Sequence, residues 1–326
     1  MISSRHLMLL GLLALLTLAS LIVSLLSGSV DLGLSDLIAV LFGSPDNLQA
    51  QVLYEIRIPR TLAAFTTGGL LAISGVIMQV LLRNPLADPY ILGISGGAAV
   101  GALSAILLGL GGWWVSNSAF LGALFSILIV FGLANKFGKW SVTRLLLTGV
   151  VMSAGWGAVI NILLTTSSSN NVQSMLFWLM GDLSQSSVTI GHAMLLASGL
   201  LIGVYFARAL NVLIRGELVA SALGVNVETV RVILYFSASL LTASAVTIAG
   251  SVGFVGLIIP HMLRLLGARD HRILIPSSVL LGGSFLVIAD SLARSIIAPQ
   301  QLPVGVITAV IGVPAFLIIL RSTIKQ

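Results

Sequence analysis

The chain contains no cysteine among its 326 residues. That excludes disulfides, thiolate metal sites and cysteine nucleophiles. Charge is nearly as scarce: Asp, Glu, Lys and Arg make up only 8% of the sequence, against 57% hydrophobic residues. A soluble fold cannot cover itself with so little charge. The net charge of +6 is not gathered into any basic patch interleaved with aromatics, so nucleic-acid binding is not indicated. No GxxxxGK[ST] precedes a lysine and no HExxH links the four histidines. His261, alone after Pro260, suits a local hydrogen bond better than a metal or haem ligand. The sequence therefore carries no nucleotide-hydrolysing or zinc-protease signature of its own.

What is present is apolar length. Mean hydropathy is +1.12, and apolar runs lie near residues 8–26, 61–82, 91–110, 118–135, 144–165, 190–207, 232–250, 253–266, 273–296 and 304–321. Most reach the roughly 18 to 20 residues that a helix needs to cross the hydrocarbon core. The expected fold class is all-α, a polytopic membrane protein of about ten helices forming a single domain over residues 1–326. The first run is longer than a secretory signal core and is read as a retained span. The eighth is short, and Gly250, Gly253 and Gly256 before Pro260 predict a broken or re-entrant element buried in protein.

Basic residues orient the chain, because retained Lys and Arg mark the cytoplasmic side. With both termini inside, Arg5, Arg83, Lys136, Lys139, Arg144, Arg208, Arg215, Arg231, Arg264, Arg269, Arg272, Arg321 and Lys325 are cytoplasmic, 13 of the 16. Arg57, Arg60 and Arg294 fall outside. On residues alone they either await an acidic partner or pair locally, Arg294 with Asp290 one turn earlier and the others with Glu55 or lipid phosphate.

Three further features stand out. Arg83-Asn84-Pro85-Leu86-Ala87-Asp88-Pro89 reads as a rigid cytoplasmic turn. Residues 215–231 (RGELVASALGVNVETVR) read as a small helix–turn–helix broken at Gly224, with apolar residues that need a covering surface. The fifth span carries Gly149, Ser153, Gly157, Asn161 and Thr165 at intervals of four, roughly one helix face, suited to close packing or to a water-filled path.

Several segments together are similar to the ten-span permease subunits of ATP-binding-cassette importers for ferric siderophores, haem and vitamin B12. They are Arg57-Ile-Pro-Arg60, SGVIMQVLLRNPLADPYILGISGGA (74–98), SVTRLLLTG (141–149), FVGLIIPHMLRLLGARDHRILIP (254–276), ADSLAR (289–294) and LPVGVITAVIGVP (302–314). The resemblance implies a homodimer in the bacterial plasma (inner) membrane with a transport path on its axis. Two P-loop ATPase subunits would lie beneath, and a substrate-binding protein would dock outside. It places ATP and Mg in the partner ATPase and implies no cofactor or metal in this chain. It implies docking roles for Arg57, Arg60 and Arg294, and ATPase coupling through Glu217, Ala220, Leu223 and Gly224 within cytoplasmic helices at 215–231. Asn84, Leu86, Ser141 and Val142 would form a cytoplasmic gate, and the Gly149 to Thr165 face would line the path. Val142 replaces the hydroxyl residue of the vitamin B12 permease, which makes that gate more apolar. Two other classes stay open on residues alone: an ion-driven secondary carrier, weakened because Asp290 is the sole ionisable candidate within its spans, and a membrane-embedded enzyme or scaffold.

Overall fold

The computed structural model describes residues 4–28, 48–135, 141–184 and 188–324, together with 33, 34, 37, 38, 40, 43 and 186. Lys136, Lys139 and Lys325, used above for orientation, lie outside these residues.

Thirteen helices are described. They are α1 (Ser4–Leu26), α2 (Leu48–Leu81), α3 (Ile94–Leu107), α4 (Gly112–Asn135), α5 (Val142–Thr166), α6 (Ser169–Met180), α7 (Ile190–Tyr205), α8 (Ala207–Leu213), α9 (Glu217–Ala222), α10 (Val227–Ala249), α11 (Val255–Leu265), α12 (His271–Ser295) and α13 (Val304–Ile324). No strand occurs among the described residues. Six helices are long and apolar enough to cross a membrane. A seventh crossing is the α7 and α8 pair, bent by 57°, and α3, α11 and the apolar part of α13 are shorter apolar helices. Together they occupy the positions of the apolar runs in the sequence, so the chain is a polytopic α-helical membrane protein.

Helix starts follow side-chain caps. Ser141 Oγ accepts from the Arg144 amide at the head of α5, Asn226 Oδ1 from Thr229 N at α10, and Asp270 Oδ1 from Arg272 N at α12. Thr189 and His192 form a reciprocal capping box at α7. Each satisfies amides that lipid cannot.

The sequence reading begins its second span at residue 61, but the helix extends outward to Leu48 through a π-helical stretch, Val52–Arg57. From Arg60 to Leu81, α2 is buried almost without interruption. It packs against α12, α10, α11 and α7. Two of these contacts need glycine. A β-carbon on Gly68 would stand 2.2 Å from the Gly282 carbonyl oxygen, and one on Gly75 would stand 2.0 Å from that of Gly256. Close backbone approach of this kind is how helices associate where lipid supplies no hydrophobic drive.

The broken element expected around Gly250 is present. Gly250 and Phe254 have φ of 67° and 71°, and the buried helix α11 follows. Its irregular start is enclosed by protein, where non-helical backbone is tolerated at membrane depth. By contrast α5 buries only Leu145 and Gly149 within the chain, leaving most of its length to another surface.

Candidate functional site: three separated clusters

At the outer end, Arg57, Arg60 and Arg294 converge as the sequence grouping requires, yet all three side chains are buried. Arg60 embraces Asp290, with Nε 3.0 Å from Oδ1 and Nη2 2.9 Å from the same oxygen, and Nη1 donates to Gln301 Oε1 at 2.6 Å. Arg294 Nε pairs with the other oxygen of Asp290 at 3.1 Å. Its Nη2 donates to Ser24 Oγ at 2.9 Å and to Ser24 O at 3.2 Å, and its Nη1 to Ser27 O at 3.3 Å. Arg57 Nη1 donates to Leu25 O and Leu26 O at 2.8 and 2.9 Å. The guanidiniums thus close the carbonyls at the C-terminal end of α1, where a helix favours positive charge. The local Arg294–Asp290 pair read from the sequence is present. The pairing of Arg60 with Asp290 crosses 230 residues and could not be read from spacing. Asp290 itself is held by two guanidiniums.

At the face that the basic residues assign to the cytoplasm, α9 is a single short helix between Gly216 (φ 115°) and Gly224 (φ 79°). Val225 N returns to Ala220 O, closing the end as a glycine-terminated helix does. The second helix anticipated in 215–231 is no separate element, because Val227 already begins α10. Ala220 is buried against the chain and Glu217 turns inward, whereas Leu223 is 65% exposed and Leu218 88% exposed. Leu218 is the most exposed large apolar side chain described. The sequence reading names it only as a helical residue, not a site residue. Glu217 Oε1 meets Arg83 Nη2 at 2.6 Å and also pairs with Arg231 Nη2. Its carboxyl is held below the usual range, chiefly by the Arg231 hydrogen bond.

The turn after α2 is built as its two prolines suggest. Asn84 Oδ1 accepts from Leu86 N at 2.9 Å, and Asp88 Oδ1 from Tyr90 N at 2.8 Å, capping a 3₁₀ turn over Pro89–Leu92. Burial pushes the Asp88 carboxyl up to about 6, against the opposing effect of that backbone hydrogen bond. Asn84 and Leu86 are exposed, Ser141 is consumed as a cap and Val142 packs on the core. No hydrogen bond of the described residues joins the two halves of this gate; what connects them is the packing of α5 on the 3₁₀ turn.

The stripe on α5 divides. Gly149 lies against that turn, where a β-carbon would meet the Ile91 carbonyl at 2.4 Å. Gly157 is half-buried, while Ser153, Asn161 and Thr165 are exposed. Thr165 Oγ1 donates to Asn161 O at 2.8 Å. The Asn161 amide makes no side-chain hydrogen bond among the described residues, an arrangement that hydrocarbon would penalise and water would not.

A cavity of about 720 Å³ opens elsewhere, at the outer ends of α4, α7 and α10, lined by Trp113, Asn117, Phe120, Asp182, His192 and Leu240 among others. It includes none of the site residues expected from the sequence.

Against known proteins, residues 15–322 match the model of the FecCD transport family. The cobalamin import system permease protein BtuC of Halobacterium salinarum is 43% identical over 295 residues, covering 86% of this chain and 76% of that protein. The vitamin B12 import system permease protein BtuC of Escherichia coli O127:H6 is 39% identical, covering 81% and 82%. Among solved structures, an inward-facing metal-chelate type ABC transporter superposes with a TM-score of 0.85 at 32% identity, covering 96% of this chain and 98% of that one.

Proposed function

The chain belongs to the FecCD transport family, and from that premise we propose that it is the permease subunit of an ATP-binding-cassette importer that carries a bulky metal chelate inward. Vitamin B12 and related cobalamins are the first ligands to test, since two relatives bear that name, with ferric siderophores and haem as the other family cargoes. Hydrolysis of ATP is the work of a separate chain. The proposed setting is the bacterial plasma membrane, as a homodimer with two P-loop ATPase subunits and an extracytoplasmic binding protein.

The observation that carries the reading is the division of labour on α9. Ala220 roots the helix in the permease, while Leu218 and Leu223 project from the cytoplasmic face with none of the described residues covering them. Exposed apolar side chains on a short helix outside the spans call for a protein surface. We assign that surface to the ATPase. The path is assigned to the exposed face of α5 with Ser153, Asn161 and Thr165, and Gly149 to packing beside it. Asn84, Leu86, Ser141 and Val142 bound its cytoplasmic end.

The outer arginines take a modified role. Turned inward, they build the rim rather than project from it, and their three formal charges exceed those of Asp290 and the neighbouring Glu55 together by one. A surplus of that sign attracts an acidic binding protein through its field, which acts mostly on the association rate.

The deciding experiment reconstitutes the chain with its ATPase and binding protein and follows uptake of cobalamin, a ferric siderophore and haem. Uptake should require ATP and vanish when the P-loop Lys of the ATPase is changed. Uptake that survives that change, or that collapses with an ion gradient instead, would refute the importer reading.

A further inference from the structure

Glu217 stands where three elements meet. It opens α9, its carboxylate reaches Arg83 at the end of the chain leaving α2, and the same oxygen pairs with Arg231 near the base of α10. The two arginines differ in kind. Arg231 is buried, so its guanidinium is fixed and orients the carboxylate. Arg83 is 42% exposed on its side chain. It also has φ of 49°, a left-handed conformation that a β-carbon disfavours. Asn84 and Leu86 follow it directly in the turn.

We propose that Glu217 is a positioning residue that latches α9 to the gate turn through Arg83, so that displacement of α9 by the ATPase is delivered to Asn84 and Leu86. This rests on the coupling reading given above. The exposed arm suits a contact that opens and closes in each cycle, because an ion pair in water is held weakly. The buried arm keeps the carboxylate aimed while the other arm is open. Once an ATPase covers α9, water is excluded from the Arg83 pair and the same contact tightens. The closed latch is therefore tighter in the assembled complex than in the free permease.

The test uses the full complex in proteoliposomes and reads uptake per ATP hydrolysed, alongside retention of the ATPase on the tagged permease. Arg83→Gly accepts the left-handed backbone and removes the whole side chain, and Arg83→Gln removes the charge while keeping a side chain. Both should lower uptake per ATP at least fivefold with ATPase retention unchanged, and Arg83→Lys should restore more than half. Because the chain lacks cysteine, an Arg83→Cys, Glu217→Cys pair can be joined by a cleavable thiol crosslinker, which should arrest uptake until it is cleaved. Unchanged uptake per ATP in both charge-removing variants, or full uptake with the crosslink in place, overturns the latch and leaves the coupling reading standing. Loss of ATPase retention in those variants also overturns it, since the contact would then serve docking alone. The coupling reading fails separately if Leu218→Asp with Leu223→Asp keeps full ATPase retention and uptake.

Discussion

Asp290 carries two guanidiniums on one carboxylate, with no exposure to water. Removing its charge leaves Arg60 and Arg294 buried and repelling each other, and breaking a buried pair in this way costs about 3–5 kcal/mol. Asp290→Asn is accordingly expected to lower the melting temperature of the detergent-solubilised chain by several degrees, and an unchanged melt would contradict the pairing. Asp88 works in the opposite sense. Its carboxyl has a pKa of about 6 in the fold against 3.8 ordinarily, so the folded chain holds that proton more tightly than the unfolded one. Ionisation is then a cost that is absent below pH 4, grows between pH 4 and 6, and is fully present above. Asp88→Asn keeps an acceptor for the Tyr90 amide and should gain up to about 3 kcal/mol at pH 7.5 but nothing below pH 4. Melting curves of both proteins across that range decide it. The local pair of Arg294 with Asp290 was legible because both lie one turn apart on a helix. Arg60 with Asp290, and Glu217 with Arg83 and Arg231, were not, since the folded chain brings together residues far apart in sequence.

Among elements, the spans were legible because length and hydropathy follow from the bilayer itself. Two helices were not. The apolar runs read from the sequence leave residues 27–60 and 166–189 unassigned, yet Leu48–Gln51 already belongs to α2 and Ser169–Met180 forms α6. Neither is long enough to span, and Asn170, Asn171, Gln173 and Ser174 interrupt the apolar run in α6. The glycines of α2 were legible only as small residues; that they touch other backbones is tertiary information. Gly75→Ala would drive a methyl into the Gly256 carbonyl. Since α2 and α11 must separate to admit it, the change should destabilise by about 1–3 kcal/mol. Gly155, with open space around its α-carbon, provides the control, and Gly155→Ala should leave the melt unchanged. At α9, Gly224→Pro alters a residue with φ of 79°, which the proline ring cannot adopt. Transport per ATP should fall while the spans remain folded by circular dichroism.

For the molecule as a whole, burial is distributed unevenly, with α2 enclosed and α5 almost bare. Exposed Leu147, Val150 and Val151 are ordinary against lipid, but Ser153 and Asn161 on the same helix are not. The proposed second copy, sharing an aqueous path, would account for these polar residues, and its two-fold arrangement predicts self-contact. Single cysteines placed along α5, at Ser153 and at Asn161, should crosslink copy to copy in membranes, whereas one at Trp113, beside the outer cavity, should not; absence of any crosslink along α5 would count against the homodimer. The general plan was thus legible from charge placement and hydropathy, while the assembly had to be inferred from what the single chain leaves uncovered. The glycine contacts of α2 bear on motion as well as packing. Backbones touching at two levels, Gly68 with Gly282 and Gly75 with Gly256, have no side chains to repack as one helix slides past another. The central helix is therefore expected to keep its contacts with α11 and α12 through a transport cycle, with the larger movements left to less enclosed helices such as α5 and α6.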